Sequence, residues 1–376
     1  MDIAIWGTGN VGKYVFQQIK DNTNYAVKYF VDRNAQLWGS KLNGVEIISP
    51  DQLQNLFSDE LDFVLVAFTK GISIYKQLTD MQINNFGIIR DRIYEAQIAL
   101  MEDLQQDRNI VWNNTIEKNK PLIESVETNV VDSCNLNCRG CSHFSNLFRH
   151  GEKVPCDSFC QDLKQIAEHA WIYQLNLLGG EALLAENIIE YMNYAREILP
   201  DSEIYLISNG LLIPRQKQDF FDCCKKNNIL ISVSGYKPTL QLEDKIREIL
   251  EHNEIVYSFR YSKEEFGKNI DLTGTANPYE AVRSCRESSC HFFRYGKLFK
   301  CPFEALGNKL FEYYDLDIRF DGGYDIYDEK LNWNIVADNL IHKPVHACRY
   351  CGKEEKIEWY VANNPVLDDW IVRNDK

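Results

Sequence analysis

The chain has 376 residues, a formal net charge of -14, and 45% hydrophobic against 26% charged residues. That length suggests two or three domains at roughly 100–200 residues each, with a composition ordinary for a soluble globular protein. The acidic balance argues against a nucleic-acid partner and against anionic membrane surfaces, no apolar run reaches the roughly 18 residues of a membrane span, and Met1-Asp2-Ile3-Ala4-Ile5-Trp6-Gly7 opens straight into a strand rather than a signal peptide.

Residues 1 to about 95 predict an α/β unit with a parallel sheet. Asp2 to Trp6 is a short apolar strand. Gly7-Thr8-Gly9-Asn10-Val11-Gly12 follows, then a helical stretch to about Lys20. A second strand, Ala26 to Val31, ends at Asp32; a third, Asp62 to Phe68, is a near-continuous apolar run; a fourth ends near Ile89. Gly7, Gly9 and Gly12 after a strand, with Asp32 20 residues beyond Gly12, match the dinucleotide fingerprint: phosphate over the helix N-terminus, acid on a ribose hydroxyl. The other reading is a docking module with a vestigial ligand site. The stretch, with Phe30-Val31-Asp32-Arg33 and Trp38-Gly39-Ser40-Lys41-Leu42-Asn43-Gly44-Val45, resembles the small Rossmann-like nucleotide-binding domains at the front of bacterial sugar acetyltransferases. That resemblance implies a bound nucleotide or nucleotide-linked sugar.

Residues 96–125 read as a helical connector. From 126 the strand–helix alternation resumes, with strands expected at 128–133, 172–178, 203–207, 229–233 and 255–259 and helices at 158–170, 184–198, 215–227 and 240–252. This is the rhythm of a β/α barrel, whose sites lie at the C-terminal ends of its strands. The expected boundary is near 280, with 281–376 a separate cysteine-rich lobe.

Twelve cysteines in a large chain without a signal, in clustered spacings, favour metal binding in a reducing, cytoplasmic compartment over a disulfide scaffold. Cys134, Cys138 and Cys141 form a C-x3-C-x2-C run on a loop after Asn129-Val130-Val131. Soft thiolates select zinc or iron–sulfur clusters. Three of them leave one metal position open, as in catalytic zinc sites; a zinc knuckle or a buried reduced set is the alternative.

Cys134-Asn135-Leu136-Asn137-Cys138-Arg139-Gly140-Cys141 resembles the signature loop of the radical S-adenosylmethionine enzymes. The resemblance implies a partial (β/α)6 barrel and a [4Fe-4S] cluster whose open iron binds the amine and carboxylate of S-adenosylmethionine. Reductive cleavage then yields a 5′-deoxyadenosyl radical that abstracts hydrogen from substrate. It also implies a reducing partner such as flavodoxin or ferredoxin. The family usually has an aromatic before the third cysteine; here stands Gly140, so adenine contact must come from elsewhere, with His143 and Phe144 as candidates. Gly179-Gly180-Glu181, followed by Ala182 rather than the usual Pro, resembles the family motif that holds the cofactor's amino group. Ser208 and Asn209 resemble the cofactor-contacting end of the third strand, and Ser232 and Ser234 sit where a further strand could touch it.

Cys285, Cys290, Cys301, Cys348 and Cys351 form a second group. A hairpin around Tyr295-Gly296 feeds a strand to Cys301, and Cys348-Arg349-Tyr350-Cys351 is a C-x2-C pair. The group resembles the shortened auxiliary-cluster domain called twitch, a reduced SPASM domain. That implies a second [4Fe-4S] cluster on Cys285, Cys301, Cys348 and Cys351, with Cys290 competing for the Cys285 position; a structural zinc is the alternative. Cys156, Cys160, Cys223 and Cys224, in helical stretches, read as structural. The expected substrate is a nucleotide-linked sugar or related glycan precursor undergoing dehydrogenation, epimerisation or dehydration, by an oxidoreductase or a lyase/isomerase. A peptide or protein maturase is the runner-up, and a non-enzymatic iron–sulfur electron carrier or redox sensor the alternative of another class.

Overall fold

Seven strands build the sheet of the first part of the chain: β1 (Asp2–Trp6), β2 (Ala26–Val31), β3 (Lys41–Leu42), β4 (Val45–Ile48), β5 (Phe63–Val66), β6 (Phe86–Ile89) and β7 (Ile110–Trp112). The computed structural model describes residues 1–57, 59–68, 71–148, 154–260, 264–285 and 289–373. The chain divides into two units, Met1–Lys118 and Asn119–Lys376.

In the first unit the sheet order is β3-β4-β2-β1-β5-β6-β7. The five central strands are parallel and the two edge strands antiparallel to their neighbours. All four residues of β5 are buried, as expected for a central parallel strand. The helix Asn10–Asn22 packs Val11, Val15 and Ile19 onto Ile3, Ile5 and Phe63; their spacing of four keeps them on one helical face.

The segment 96–125 is not a helical connector. Its β7 extends the first sheet by pairing with β6, and β8 (Leu122–Val131) already belongs to the second unit. Polar and charged residues around Ile110-Val111-Trp112 hide a three-residue edge strand, whose pairing comes from β6 rather than from its own pattern.

The second unit continues with β9 (Trp171–Gly179), β10 (Glu203–Ser208), β11 (Leu230–Ser234), β12 (Tyr257–Arg260), β13 (Glu265–Ile270), β14 (His291–Arg294), β15 (Lys297–Phe299), β16 (Tyr324–Asp325) and β17 (Cys351–Glu358). One sheet runs β12-β11-β10-β9-β8-β14-β15-β16, and β13 pairs with β17 in a second. Strands β8 to β12 and β14 are mutually parallel. Four helices, Cys156–His169, Ile188–Ile198, Gln218–Lys226 and Glu243–His252, connect β8 to β12 in turn. Their apolar stripes, among them Leu163, Ile166, Met192, Phe220, Cys224 and Ile246, join one core with the strands. Cys223 and Cys224 are buried there, and Cys156 and Cys160 pack at its edge.

No division falls at 280. His291 and Phe292 of β14 pair with Val126 and Glu127 of β8, which makes β14 the sixth parallel strand. Four residues between a cysteine and a turn carry too little periodicity to announce this. The Tyr295-Gly296 hairpin is formed, with both residues at positive φ. Among the described residues no helix is long and apolar enough to cross a membrane.

Candidate functional site

Beyond Val131 the chain leaves β8 and turns through the cysteine loop. Cys134, Cys138 and Cys141 line a cavity of about 200 Å³. The ends of β9, β10 and β11 supply the opposite wall: Gly179, Gly180, Glu181, Ser208, Asn209 and Ser234. Gly179 and Gly180 allow the two loops to meet, since a Cβ at either would lie 2.2–2.3 Å from the carbonyl oxygens of Val131 and Ser133.

Glu181 is buried and ties this wall together. One carboxylate oxygen accepts from the Ser208 hydroxyl at 2.7 Å and from Leu183 N at 3.1 Å; the other accepts from Asn209 N at 2.7 Å. Burial raises its pKa. Asn209 donates to Asn135 of the cysteine loop at 2.7 Å. Ser232 does not line the cavity: it is fully buried and accepts from the Ser258 hydroxyl at 3.4 Å.

On the side of the cavity nearest β8, sequence reasoning singles out His143 but not Glu127, Asn129, Asp132 or Arg294. Glu127 and His143 line that side. Arg294 grips Asp132 with two hydrogen bonds of 2.6–2.7 Å. Asp132 accepts from Asn129 Nδ2 at 3.0 Å, which turns Asn129 Oδ1 toward His143 Nδ1, also 3.0 Å away. This network assigns the proton to Nδ1 and leaves Nε2 as an acceptor, 3.8 Å from Glu127 Oε1. Burial lowers the His143 pKa to about 4, against the opposing pull of Asp132. The signal that could have exposed this wall is a period of two: Ser125, Glu127 and Asn129 place polar groups on one face of a buried strand. Phe144, by contrast, packs against Phe303 and Trp370.

The cysteine loop is held from outside by the end of the chain. Arg139 N donates to Tyr360 O at 3.0 Å and Ala362 N to Asn137 O at 2.7 Å, bracketing a bridge between Cys138 and Val361. Trp370 Nε1 donates to Cys141 O at 2.8 Å. Gly140, at φ +61°, sits where a Cβ would lie 2.6 Å from Asp369 O, so a side chain there would collide with this wrapping.

In the first unit, the Thr8 hydroxyl donates to Asp32 Oδ2 at 2.5 Å and Asn34 N to Oδ1 at 2.8 Å. The fingerprint loop thus meets the end of β2. A Cβ on Gly12 would lie 2.0 Å from Gly7 O and one on Gly7 2.5 Å from Ala67 O, whereas one on Gly9 meets nothing within 4 Å.

Residues 126–234 match the family model described as a 4Fe-4S single cluster domain, and residues 1–89 match C2185-like, N-terminal. The GTP 3′,8-cyclase of Clostridium perfringens (strain 13 / Type A) is 30% identical over 129 residues, 34% of this chain and 38% of that protein. The GTP 3′,8-cyclase of Helicobacter pylori (strain ATCC 700392 / 26695) is 27% identical over 100 residues, 26% of this chain and 31% of its own length. The chain thus spans under two fifths of these curated relatives. Residues 126–234 thus match a 4Fe–4S domain, and the cyclase relatives support a likeness to the radical S-adenosylmethionine family. Among solved structures, BtrN in complex with AdoMet and 2-DOIA aligns at 13% identity and TM-score 0.40 over 67% of this chain and 100% of that one. Native anSMEcpe with bound AdoMet aligns at 19% and TM-score 0.31 over 37% and 43%.

The donors in this domain fit a 4Fe–4S cluster. All three thiols are free and surround one opening. Burial pushes Cys134 up to about 12 and Cys138 higher still, so the thiolate form needs a bound cation to compensate. A buried donor with no partner among protein atoms, the Trp359 indole N–H, lies in the same apolar cluster as Cys134 and Cys138.

Cys285, Cys301, Cys348 and Cys351 line a second, larger cavity of about 620 Å³. Cys290 is not among its lining residues. Burial raises the thiols of Cys301, Cys348 and Cys351, the last to about 12. Lys300 is buried beside them, its Nζ donating to the carbonyls of Leu340 and Ile341 at the end of the helix Trp333–His342. Among the described residues no three His, Cys, Asp or Glu side chains converge as ligands of a single metal ion.

Proposed function

We propose that this chain is a radical S-adenosylmethionine enzyme acting on a polar, nucleotide-bearing substrate such as a nucleotide-linked sugar or related glycan precursor. One observation carries the reading: three free thiols, Gly179-Gly180-Glu181, Ser208, Asn209 and Ser234 surround a single cavity. In this reading the six parallel strands are the partial barrel, and the first unit is a Rossmann-like domain. When bound, the cluster supplies the electron that cleaves the sulfonium of S-adenosylmethionine to a radical able to abstract hydrogen.

The chain's own residues position and shield. Glu181 offers a buried carboxylate to the cofactor's ammonium group, held in place by Ser208 and Asn209. The bare backbone of Gly179 and Gly180 lets the cofactor lie close to the strand ends. His143 Nε2 and Glu127 offer acceptors to substrate hydroxyls from the facing wall. Burial of this wall excludes water, which protects reactive intermediates. The four thiols of the second cavity hold an auxiliary 4Fe–4S cluster of the twitch kind, with Cys285 in the position for which Cys290 competed.

The relatives' name, GTP 3′,8-cyclase, denotes a nucleotide substrate and favours a nucleotide-bearing substrate over a peptide. The test is anaerobic reconstitution followed by assay of 5′-deoxyadenosine and methionine, alone and with nucleotide sugars, GTP or peptides. Stimulated turnover with a nucleotide-bearing compound supports the reading. Stimulation by peptides alone overturns the substrate class, and parental cleavage by the Cys134/Cys138/Cys141 triple alanine variant overturns the site.

A further inference from the structure

Trp359 lies just beyond β17 and more than 220 residues from the cysteine loop, yet it packs with Cys134, Leu136 and Cys138 in one apolar cluster. It is 8% exposed, and its indole N–H finds no partner among the protein's atoms. A buried N–H left unpaired costs about 1–3 kcal/mol, so such an orphan points to a missing acceptor. The ring has little freedom to seek one. It stacks on Tyr236 at 5.4 Å and 21°, and the next two residues are tied to the loop, Tyr360 O to Arg139 N and Val361 across from Cys138. Among the buried members of that cluster the other polar side-chain atoms are the sulfurs of Cys134 and Cys138, and the indole N–H favours the Cys138 thiolate against the larger upward push of burial. A neutral thiol is a weak acceptor; a cluster-bound thiolate is a strong one, because hydrogen bonds to ionised groups are about twice as strong as neutral ones.

We propose that Trp359 is a positioning residue whose indole N–H donates to the Cys138 thiolate of the bound cluster and raises that cluster's reduction potential. Reduction adds one electron to the cluster and increases the negative charge on its sulfurs. A donor aimed at a ligand sulfur therefore stabilises the reduced state more than the oxidised one, and hydrogen bonds to sulfur are among the levers that set cluster potentials. The inference rests on the cluster reading above, and it adds that a distant terminal segment tunes the cysteine loop it clasps.

The experiment is a redox titration of the reconstituted full-length protein, followed by electron paramagnetic resonance of the signal that responds to S-adenosylmethionine. Trp359→Phe keeps an aromatic ring facing Tyr236 but carries no N–H, so its midpoint is expected at a more negative potential than the parent's. A second measurement needs no substitution at Trp359. Protein labelled with ¹⁵N-indole tryptophan should show a nitrogen coupling to the reduced cluster, retained in Trp370→Phe and absent from Trp359→Phe. An unchanged midpoint in a folded Trp359→Phe protein, or no nitrogen coupling in the labelled parent, overturns this inference and leaves the cluster reading standing. A protein that takes up no iron–sulfur cluster overturns both.

Discussion

Arg139 Nε donates to Asp369 Oδ1 at 2.7 Å across 230 residues of sequence. Arg139 lies between two cysteines of the loop, and Asp369 is almost fully buried in the terminal segment. The same carboxylate accepts from Val366 N at 3.0 Å, and the Arg139 guanidinium lies 5.1 Å from the Tyr360 ring centre. The pair clamps the terminal segment over the loop. Asp369→Ala removes both bonds and leaves a cation at a mostly apolar contact. Breaking a fully buried pair costs roughly 3–5 kcal/mol; Arg139 remains 23% exposed, so a loss of about 2 kcal/mol is expected. Thermal unfolding should show it, together with faster loss of iron under chelator. An unchanged melting temperature would separate the terminal segment from the loop's stability.

Asp132 and Arg294 make a second long-range pair, with side chains 2% and 11% exposed. Arg294→Leu would strand Asp132 and release Asn129 and His143 from their set orientation. The expected cost is about 3 kcal/mol or more, read by denaturant unfolding. The double variant Asp132→Asn with Arg294→Leu should recover part of it, because no buried charge is then left unpaired.

With two cubane clusters, iron content should be about eight atoms per chain, four per cluster. Replacing Cys134, Cys138 and Cys141 together with alanine should leave about half. Cys348→Ala with Cys351→Ala should remove the other half. Cys285→Ala should damage the second cluster more than Cys290→Ala, since Cys285 lines the cavity shared with Cys301, Cys348 and Cys351. About one zinc and four irons by elemental analysis would contradict the second cluster alone.

The glycines of the first unit separate packing from ligand approach. Gly12→Ala forces a Cβ to 2.0 Å from Gly7 O, and overpacking of that kind costs about 1–3 kcal/mol. Gly9→Leu meets open space, so stability should change by under about 0.5 kcal/mol. If the loop cradles a phosphate, Gly9→Leu should abolish the calorimetric binding of nucleotide sugars while the melting curve stays put. Parental binding by Gly9→Leu would place the ligand elsewhere or favour the docking role.

Much of this molecule could be read locally. Cys134, Cys138 and Cys141 lie within eight residues, so a thiolate metal site is visible in their spacing, while the cofactor role of Gly179-Gly180-Glu181 is what the resemblance to the radical S-adenosylmethionine enzymes implies. Parallel strands such as β5 and β6 announce themselves as apolar runs because both of their faces are buried. Other features depend on partners far away in the chain. β7 and β14 are three and four residues long, too short for a period, and exist because β6 and β8 present unpaired edges. That Cys285 rather than Cys290 lines the second cavity depends on where the β14–β15 hairpin and the Cys348–Cys351 turn converge. Ser232 and Ser234 share a strand face, yet only the residue nearer the strand end reaches the cavity, a matter of depth that sequence does not encode. The clasp of Trp359, Asp369 and Trp370 on the cysteine loop left no local mark at all. Its contacts join residues more than 220 positions apart, and side-chain packing at that separation is decided only when the whole chain has folded.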